Sequence, residues 1–380
     1  MDLNLPLWLY YVLGFPLLLG PLITIHELGH YLVGRWFGVH AEAFSIGFGK
    51  EVWGRTDRRG TRWKLSALPL GGYVQFKGDM NPASIPDAEG AANATAEERA
   101  GSFHHAALWK RALIVFAGPA TNLLLTLAIF AGFFALYGKP VPADAGQQLT
   151  VAEFAEISPA RAAGIEIGDR IVAVEGDRME DFRDVQDAIM LYPGRTLDIT
   201  VDRDGTEQTI PVLVRSVEME DRFGNVSKVG LIGIASGASG FEFEPQGIVS
   251  SLGLAVDHSI GIVDMMLTGI GQIFTGERSV QELGGPVKIA KFSGEQLSMG
   301  AMAFINFAAL ISLNLAFINL LPIPALDGGH LAFYAAEAVR RKPVGPRGTE
   351  VAYRAGVALV LMLMVFVTIN DLVSLPVFGN

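Results

Sequence analysis

Residues 3–25 carry no charged side chain, and neither do residues 112–138 or 296–326. Each run exceeds the roughly 20 apolar residues that a helix needs to cross the hydrocarbon core of a bilayer. A fourth run, residues 351–369, holds only Arg354 near its start, where a long side chain reaches back to the interface. The expected fold is therefore a polytopic α-helical membrane protein with four transmembrane helices. These runs account for a composition that is 50% hydrophobic and 18% charged, against about 25% charged in soluble proteins. The net charge of −10 argues against a nucleic-acid partner. The lack of cysteine excludes disulfides, thiolate metal sites and a cysteine nucleophile. The first run has no basic leader and continues into His26-Glu27, so it reads as a retained span rather than a cleaved signal.

Basic residues set the expected orientation. They crowd the region after the first span, from Arg35 to Arg111, and the region before the last, from Arg340 to Arg347. Four spans with both regions in the cytoplasm put the two termini and the middle of the chain outside. The expected segments are 1–38 (first span), 39–108 (cytoplasmic loop), 109–138 (second span), 146–235 (outer domain), 246–295, 296–330 (third span), 331–350 (cytoplasmic loop) and 351–376 (fourth span). Segment 246–295 begins with an apolar stretch that holds Asp257, His258 and Asp264. It is expected to lie on the outer membrane surface as an amphipathic helix, since a crossing there would break the charge pattern. Residues 146–235 are charged, with short alternating strands and turns at Glu175-Gly176 and Asp204-Gly205, enough for one small domain. Residues 65–79, with Gly71-Gly72 as a turn, suggest a hairpin with an apolar face. Residues 87–101, rich in Ala and Glu, suggest a mobile linker.

The pattern with chemical content is His26-Glu27-Leu28-Gly29-His30. On a helix, positions i and i+4 face the same way, so both imidazoles can grip one ion, with Glu27 beside the open coordination position as a proton acceptor. Polar groups inside a span are costly and call for compensation, which a dication supplies. A catalytic zinc site takes three protein ligands. The acidic residue that closes the third uncharged region is Asp327, preceded by Pro322 and Pro324 and followed by Gly328-Gly329. By the side assignment it lies at the depth of His26 and His30. A helix cap just outside the span is the alternative reading of Asp327.

A His-Glu-x-x-His pattern in the first span, paired with Asn319-Leu-Leu-Pro322-Ile-Pro324-Ala-Leu-Asp327-Gly328 in a later one, resembles the site-2 protease family of intramembrane zinc metalloproteases. Phe116-Ala-Gly-Pro119-Ala-Thr-Asn122 and Leu283-Gly-Gly-Pro286 also look like family segments. The stretch from Ile157 to Asp177, with Ser158-Pro159, Gly164 and Gly168-Asp169, is similar to PDZ domains, with residues 184–191 as the groove helix. With one such insert, the chain resembles the bacterial members like the regulator of sigma-E protease. The resemblance implies a Zn2+ cofactor on His26, His30 and Asp327, with Glu27 as the catalytic base. It implies substrate contact at Asn319, for which an interhelical hydrogen bond is the alternative, and at a membrane-associated β-hairpin, here Gly71, Gly72, Tyr73 and Val74. It also implies single-span substrates such as an anti-sigma factor or remnant signal peptides, peptide binding at the PDZ-like domain, lipid contact, and residence in the bacterial inner membrane. Asn122 is read as mostly structural, His330 as a cytoplasmic surface residue rather than a partner of the site, and His40, His104, His105 and His258 as ordinary. Two rival readings use the same residues: a metal or ion transporter, and an inactive PDZ-bearing scaffold. The first is disfavoured by Glu27 and the lack of a repeat, the second by the intact ligand set.

Overall fold

The computed structural model describes residues 6–78, 95, 99–142, 149–220, 226–237, 241–276, 280, 283–342 and 345–373. Most of the linker expected at 87–101, the first residues of the domain expected at 146–235 and the end of the last expected span lie outside the described residues. The chain forms two compact units, one within residues 1–131, 255–259 and 279–380, the other within residues 132–254 and 260–278.

The first unit begins with helix α1 (Leu7–Trp36), which runs through Pro16 and Pro21. It leads into an antiparallel pair, β1 (Ala41–Thr56) and β2 (Arg62–Phe76). The turn between them is set by Asp57, whose Oδ1 accepts from the Arg59 and Thr61 N–H groups at 2.8 and 3.0 Å, an Asx turn. The hairpin expected at residues 65–79 is therefore displaced. Gly71 and Gly72 lie within β2, not in a turn. There the register passes from Phe48–Leu68 to Ile46–Gly72, so extra residues bulge from β2. Pro69 offers no N–H to a ladder and a glycine accepts the bulge, a pairing easily mistaken for a turn in sequence. Residues 43–46 pair with 72–75 on one side and 62–65 on the other, which leaves residues 72–76 at an edge of the sheet. The sheet packs on α1 and on α2 (Leu108–Tyr137) through a core that includes Tyr31, Phe44, Phe76, Phe103 and Ile114.

The second unit contains a small β domain. Strands β3 (Lys139–Pro142) and β4 (Val151–Phe154) precede α3 (Pro159–Ala163), capped by the Ser158 hydroxyl and ended by left-handed Gly164. Strands β5 (Arg170–Val174) and β6 (Asp177–Arg178) are followed by α4 (Phe182–Met190), which begins at an Asp181–Asp184 capping box, two residues before the expected start. Strands β7 (Thr196–Arg203) and β8 (Thr206–Leu213) complete a four-stranded sheet of order β6-β5-β7-β8. Strands β9 (Arg215–Glu220) and β10 (Val226–Leu231) pair with each other, β11 (Ile234–Ser236) with β4, and β12 (Phe241–Glu244) with β3. Alternate residues of β7 are buried (Leu197, Ile199, Val201) against Val185 and Ile189 of α4. Asp169 Oδ1 and Oδ2 each accept from Arg203, both at 2.7 Å, which pins the α3–β5 turn to β7.

Helix α5 (Ile248–Thr275) spans 28 residues at mean hydropathy 1.3. It brings to five the described helices long and apolar enough to cross a membrane; the others are α1, α2, α7 (Ala301–Leu320) and α9 (Pro346–Val373). Two expected segments divide differently. Residues 246–295 hold one long helix and most of a second rather than a single helix. After α5 comes α6 (Pro286–Ser298), packed on α1 where Gly14 meets Ser293 and Gly294, with Glu295 buried. Its first turn is held by the buried Asp371 of α9, which accepts from the Gly285, Val287 and Lys288 N–H groups, each at 3.0 Å. Nor do residues 296–330 form one helix: Gly300, at φ +108°, separates α6 from α7, and α7 stops at Leu320. Asp327 opens a further helix, α8 (Asp327–Arg340), which begins in the expected third span and runs into the expected cytoplasmic loop.

Candidate metal centre

The geometry starts from α1. His26 and His30 are both buried, and their Nε2 atoms stand 3.2 Å apart, as i, i+4 spacing dictates. His30 Nδ1–H donates to the Ile114 carbonyl of α2 at 2.8 Å, which leaves the Nε2 lone pair facing inward. The amide of Asn122, fully buried on α2, lies 3.4 Å from His26 Nδ1. The amide atom placed toward the ring is Nδ2; exchanging the amide N and O lets Oδ1 accept Nδ1–H and gives His26 the same tautomer. Helix α2 comes so close that a Cβ on Gly118 would collide with His30 Nε2 and Cε1.

Asp327 arrives from the far end of α7. The chain leaves the helix at Leu321 and turns through Ala325, a non-glycine residue at φ +98°. Strain of this kind persists only where its surroundings hold it, and it clusters at functional sites. Gly328, the next residue after Asp327, packs against the Leu320 and Leu321 carbonyls with no room for a side chain. The result sets Asp327 Oδ2 3.1 Å from His26 Nε2 and 3.6 Å from His30 Nε2. Asp327 thus belongs to the first turn of α8 without capping it.

This oxygen is buried without a hydrogen-bond donor. It faces the Nε2 atoms of both imidazoles, so three potential metal-ligating atoms converge; with the Asn122 amide flipped as above, no proton lies among them. A dication suits that arrangement. Tetrahedral zinc at about 2.0–2.1 Å from each donor requires donor separations of about 3.3 Å, and the three observed separations bracket that value. Among the described residues these three side chains form the one cluster spaced to hold a metal.

Glu27 shares a cavity of about 240 Å³ with the cluster. Its Oε2 accepts the Val74 N–H of β2 at 3.0 Å, and no hydrogen bond from the described residues reaches Oε1. Gly72, Tyr73, Val74 and Asn319 line the same cavity. Gly71 does not; a side chain there would strike Phe48. His330, expected on the surface, lines the cavity too, its Nδ1 hydrogen-bonded to the Tyr353 hydroxyl of α9. Asn122 and His330 are thus both closer to the chemistry than the sequence reading put them. The signal for His330 is its place one turn beyond Asp327 on α8; for Asn122 no local signal exists. Of the other histidines, His258 packs against Phe130, His105 against Ser102 and His40 beside Gly60, while His104 packs edge-on against the cavity residue Phe103 and lies near enough to His330 to interact with it electrostatically.

Two imidazoles and a carboxylate around a metal position, with a glutamate alongside, carried on helices of membrane length, define a membrane metallohydrolase. Residues 14–363 match the profile of peptidase family M50, and the chain belongs to that family. It is 45% identical over 369 residues to "Putative zinc metalloprotease Atu1380" of Agrobacterium fabrum, a match covering 96% of each chain. It is 42% identical over 374 residues to "Putative zinc metalloprotease R01501" of Rhizobium meliloti, covering 98% of this chain and 99% of the relative. "Metalloprotease MmpA" of Caulobacter vibrioides is 34% identical over 385 aligned positions, covering 95% and 94%. The protein is a multi-pass membrane metalloprotease, and its metal is zinc.

Proposed function

We propose that this protein is a site-2-type metalloendopeptidase that hydrolyses peptide bonds within the transmembrane segments of single-span membrane proteins. The observation that carries this reading is the shared cavity: His26, Glu27, His30 and Asp327 stand beside the strand segment Gly72–Val74, at an edge of its sheet. A helical peptide bond is enclosed by its own hydrogen bonds, so a substrate must be unwound, and an extended peptide can add to such an edge by main-chain hydrogen bonds. Gly72, Tyr73, Val74 and Asn319 are the residues we assign to substrate contact, with Gly71 shaping the strand behind them. The exposed Phe48, Val52, Trp53 and Leu68 of the same sheet suit contact with lipid.

Zinc held by His26, His30 and Asp327 polarises the scissile carbonyl and acidifies water when bound. Glu27 accepts a proton from the attacking water at Oε1, while the Val74 N–H holds Oε2 and stops the carboxylate from turning away. The water oxygen bonds to the carbonyl carbon, the C–N bond breaks, and Glu27 returns the proton to the departing nitrogen.

The substrates we propose are stubs left by an earlier cut, such as a membrane-bound anti-sigma factor or a remnant signal peptide. The β domain of residues 146–235 is read as PDZ-like, binding peptide on the outer side. The basic residues between 35 and 111 and near 340 favour a bacterial inner-membrane orientation with that domain and both termini outside, and with α5 lying on the outer surface. The test uses the purified full-length protein in detergent and a single-span substrate without a bulky outer domain. Wild type should cleave it; Glu27→Gln should bind zinc without cleaving; Asp327→Ala should lose both. Zinc-loaded wild type that cleaves no such substrate would refute the reading.

A further inference from the structure

We propose that His330 is a further catalytic residue of this site, donating a hydrogen bond to the carbonyl oxygen of the scissile peptide as that oxygen gains negative charge, and that Tyr353 is its positioning residue. This rests on the protease reading above. His330 follows Asp327 by three residues on α8 and lines the same cavity as Glu27. Residues three apart share a helix face, so the turn that presents the carboxylate also presents this ring.

The orientation of the ring is set from behind. Tyr353 is 2% exposed, and its hydroxyl is paired with His330 Nδ1. The two rings pack at 4.9 Å, and Phe333 packs on the same phenol at 5.6 Å. We assign the shared proton to the tyrosine oxygen, since of these two groups the phenol is the better donor and the imidazole nitrogen the better acceptor. A neutral imidazole that accepts at Nδ1 carries its hydrogen on Nε2. No other hydrogen bond holds His330 among the described residues, and Nε2 is not one of the buried atoms left without a partner. The ring therefore offers a fixed, unclaimed N–H to the cavity.

The mechanism has a need for that donor. As the water oxygen bonds to the carbonyl carbon, the carbonyl π electrons move to oxygen, and charge develops beside the cavity wall that His330 lines. Preorganised donors aimed at such an oxygen act there at little reorganisation cost. Glu27 is committed to the proton and cannot serve.

The experiment compares His330→Leu, His330→Gln and Tyr353→Phe with wild type and Glu27→Gln in the full-length protein, measuring kcat, KM and zinc content on one single-span substrate. Leucine keeps bulk without a donor; glutamine restores an amide N–H at similar reach. His330→Leu should lower kcat by about 10²- to 10³-fold, the cost of one such donor, with KM and zinc unchanged. His330→Gln should recover about tenfold of that loss, and Tyr353→Phe should lower kcat by about 10- to 100-fold. The inference is overturned by a kcat for His330→Leu close to wild type, by loss of zinc or a matching rise in KM, or by a glutamine variant no better than leucine. Those results leave the protease reading standing if wild type cleaves and Glu27→Gln does not. Absence of cleavage by wild type overturns both.

Discussion

Gly118→Ala is a one-carbon test of the metal centre. The added Cβ would sit 2.8 Å from His26 Cε1 and closer still to His30 Nε2 and Cε1, where ordinary contacts begin at 3.4 Å. His26 must then retreat by about 0.6 Å (3.4 less 2.8), and His30 by more. Zinc–ligand distances tolerate only about ±0.2 Å. The rings have no slack to give, because His30 Nδ1 is tied to Ile114 and His26 lies against Asn122. The variant should therefore bind zinc at least ~100-fold more weakly, above the 10- to 100-fold that loss of an outer partner costs, and cleavage should fall with it. Helix propensity acts in the opposite direction, since alanine is favoured over glycine by about 1 kcal/mol. Gly20→Ala on α1, where a Cβ meets nothing within 4 Å, is the matched control. Metal analysis of both purified variants, with circular dichroism to verify helix content, is the assay. Stoichiometric zinc and full activity in Gly118→Ala would refute the close-packed geometry argued for this centre.

Other outcomes follow from the same structure. Asp371→Ala strips three N–H groups at the start of α6 of their acceptor; a loss of about 2–4 kcal/mol, measured by denaturant unfolding in detergent, is expected. Arg203 holds the Asp169 carboxyl below the usual carboxylate range through its hydrogen bonds. The folded form therefore binds the proton less readily than the unfolded one, and the pair's stabilisation is present above pH ~4 and lost as pH falls through the folded value. Hydrogen-exchange protection factors at β5 and β7 should fall on acidification, and Asp169→Asn should abolish that pH dependence while costing about 2–3 kcal/mol at neutral pH. A chelator should remove zinc and activity together, with both regained on adding zinc back to wild type but not to Asp327→Ala.

Much of this was legible in the sequence because it depends on spacing or on long runs. Uncharged runs mark helices α1, α2 and α7, a run with the single charge of Arg354 marks α9, and i, i+4 spacing pairs His26 with His30. The pairing of Asp327 with them could be read because prolines and glycines flag a chain break at the depth of the histidines. What failed to show is tertiary. The Gly71-Gly72 pair has the composition of a turn, yet cross-strand register makes it part of a bulged strand, while the real turn at Asp57 lies in a stretch that looks merely charged. Hydropathy sees residues 296–326 as continuous and is blind to the left-handed Gly300 that divides them. It also fails to count crossings, since α5 is apolar enough to span although it carries Asp257 and Asp264. Asn122 and His330 gain their importance from α2 and α9 packing beside the ligands, which no local pattern encodes.

The hydrogen bond from Val74 to Glu27 has a consequence for fidelity. One backbone amide belongs both to the edge strand and to the group that must be aimed at water. On the proposed reading of residues 72–76 as a substrate-binding edge, a peptide that pairs in register would stiffen that amide, and with it the aim of the carboxylate. A peptide that docks one residue out of step, or a helix that never unwinds, leaves the amide loose or pulls it aside. If the substrates are the transmembrane helices proposed above, an enzyme surrounded by such helices must spare nearly all of them, and this shared amide would make proofreading a property of the strand itself.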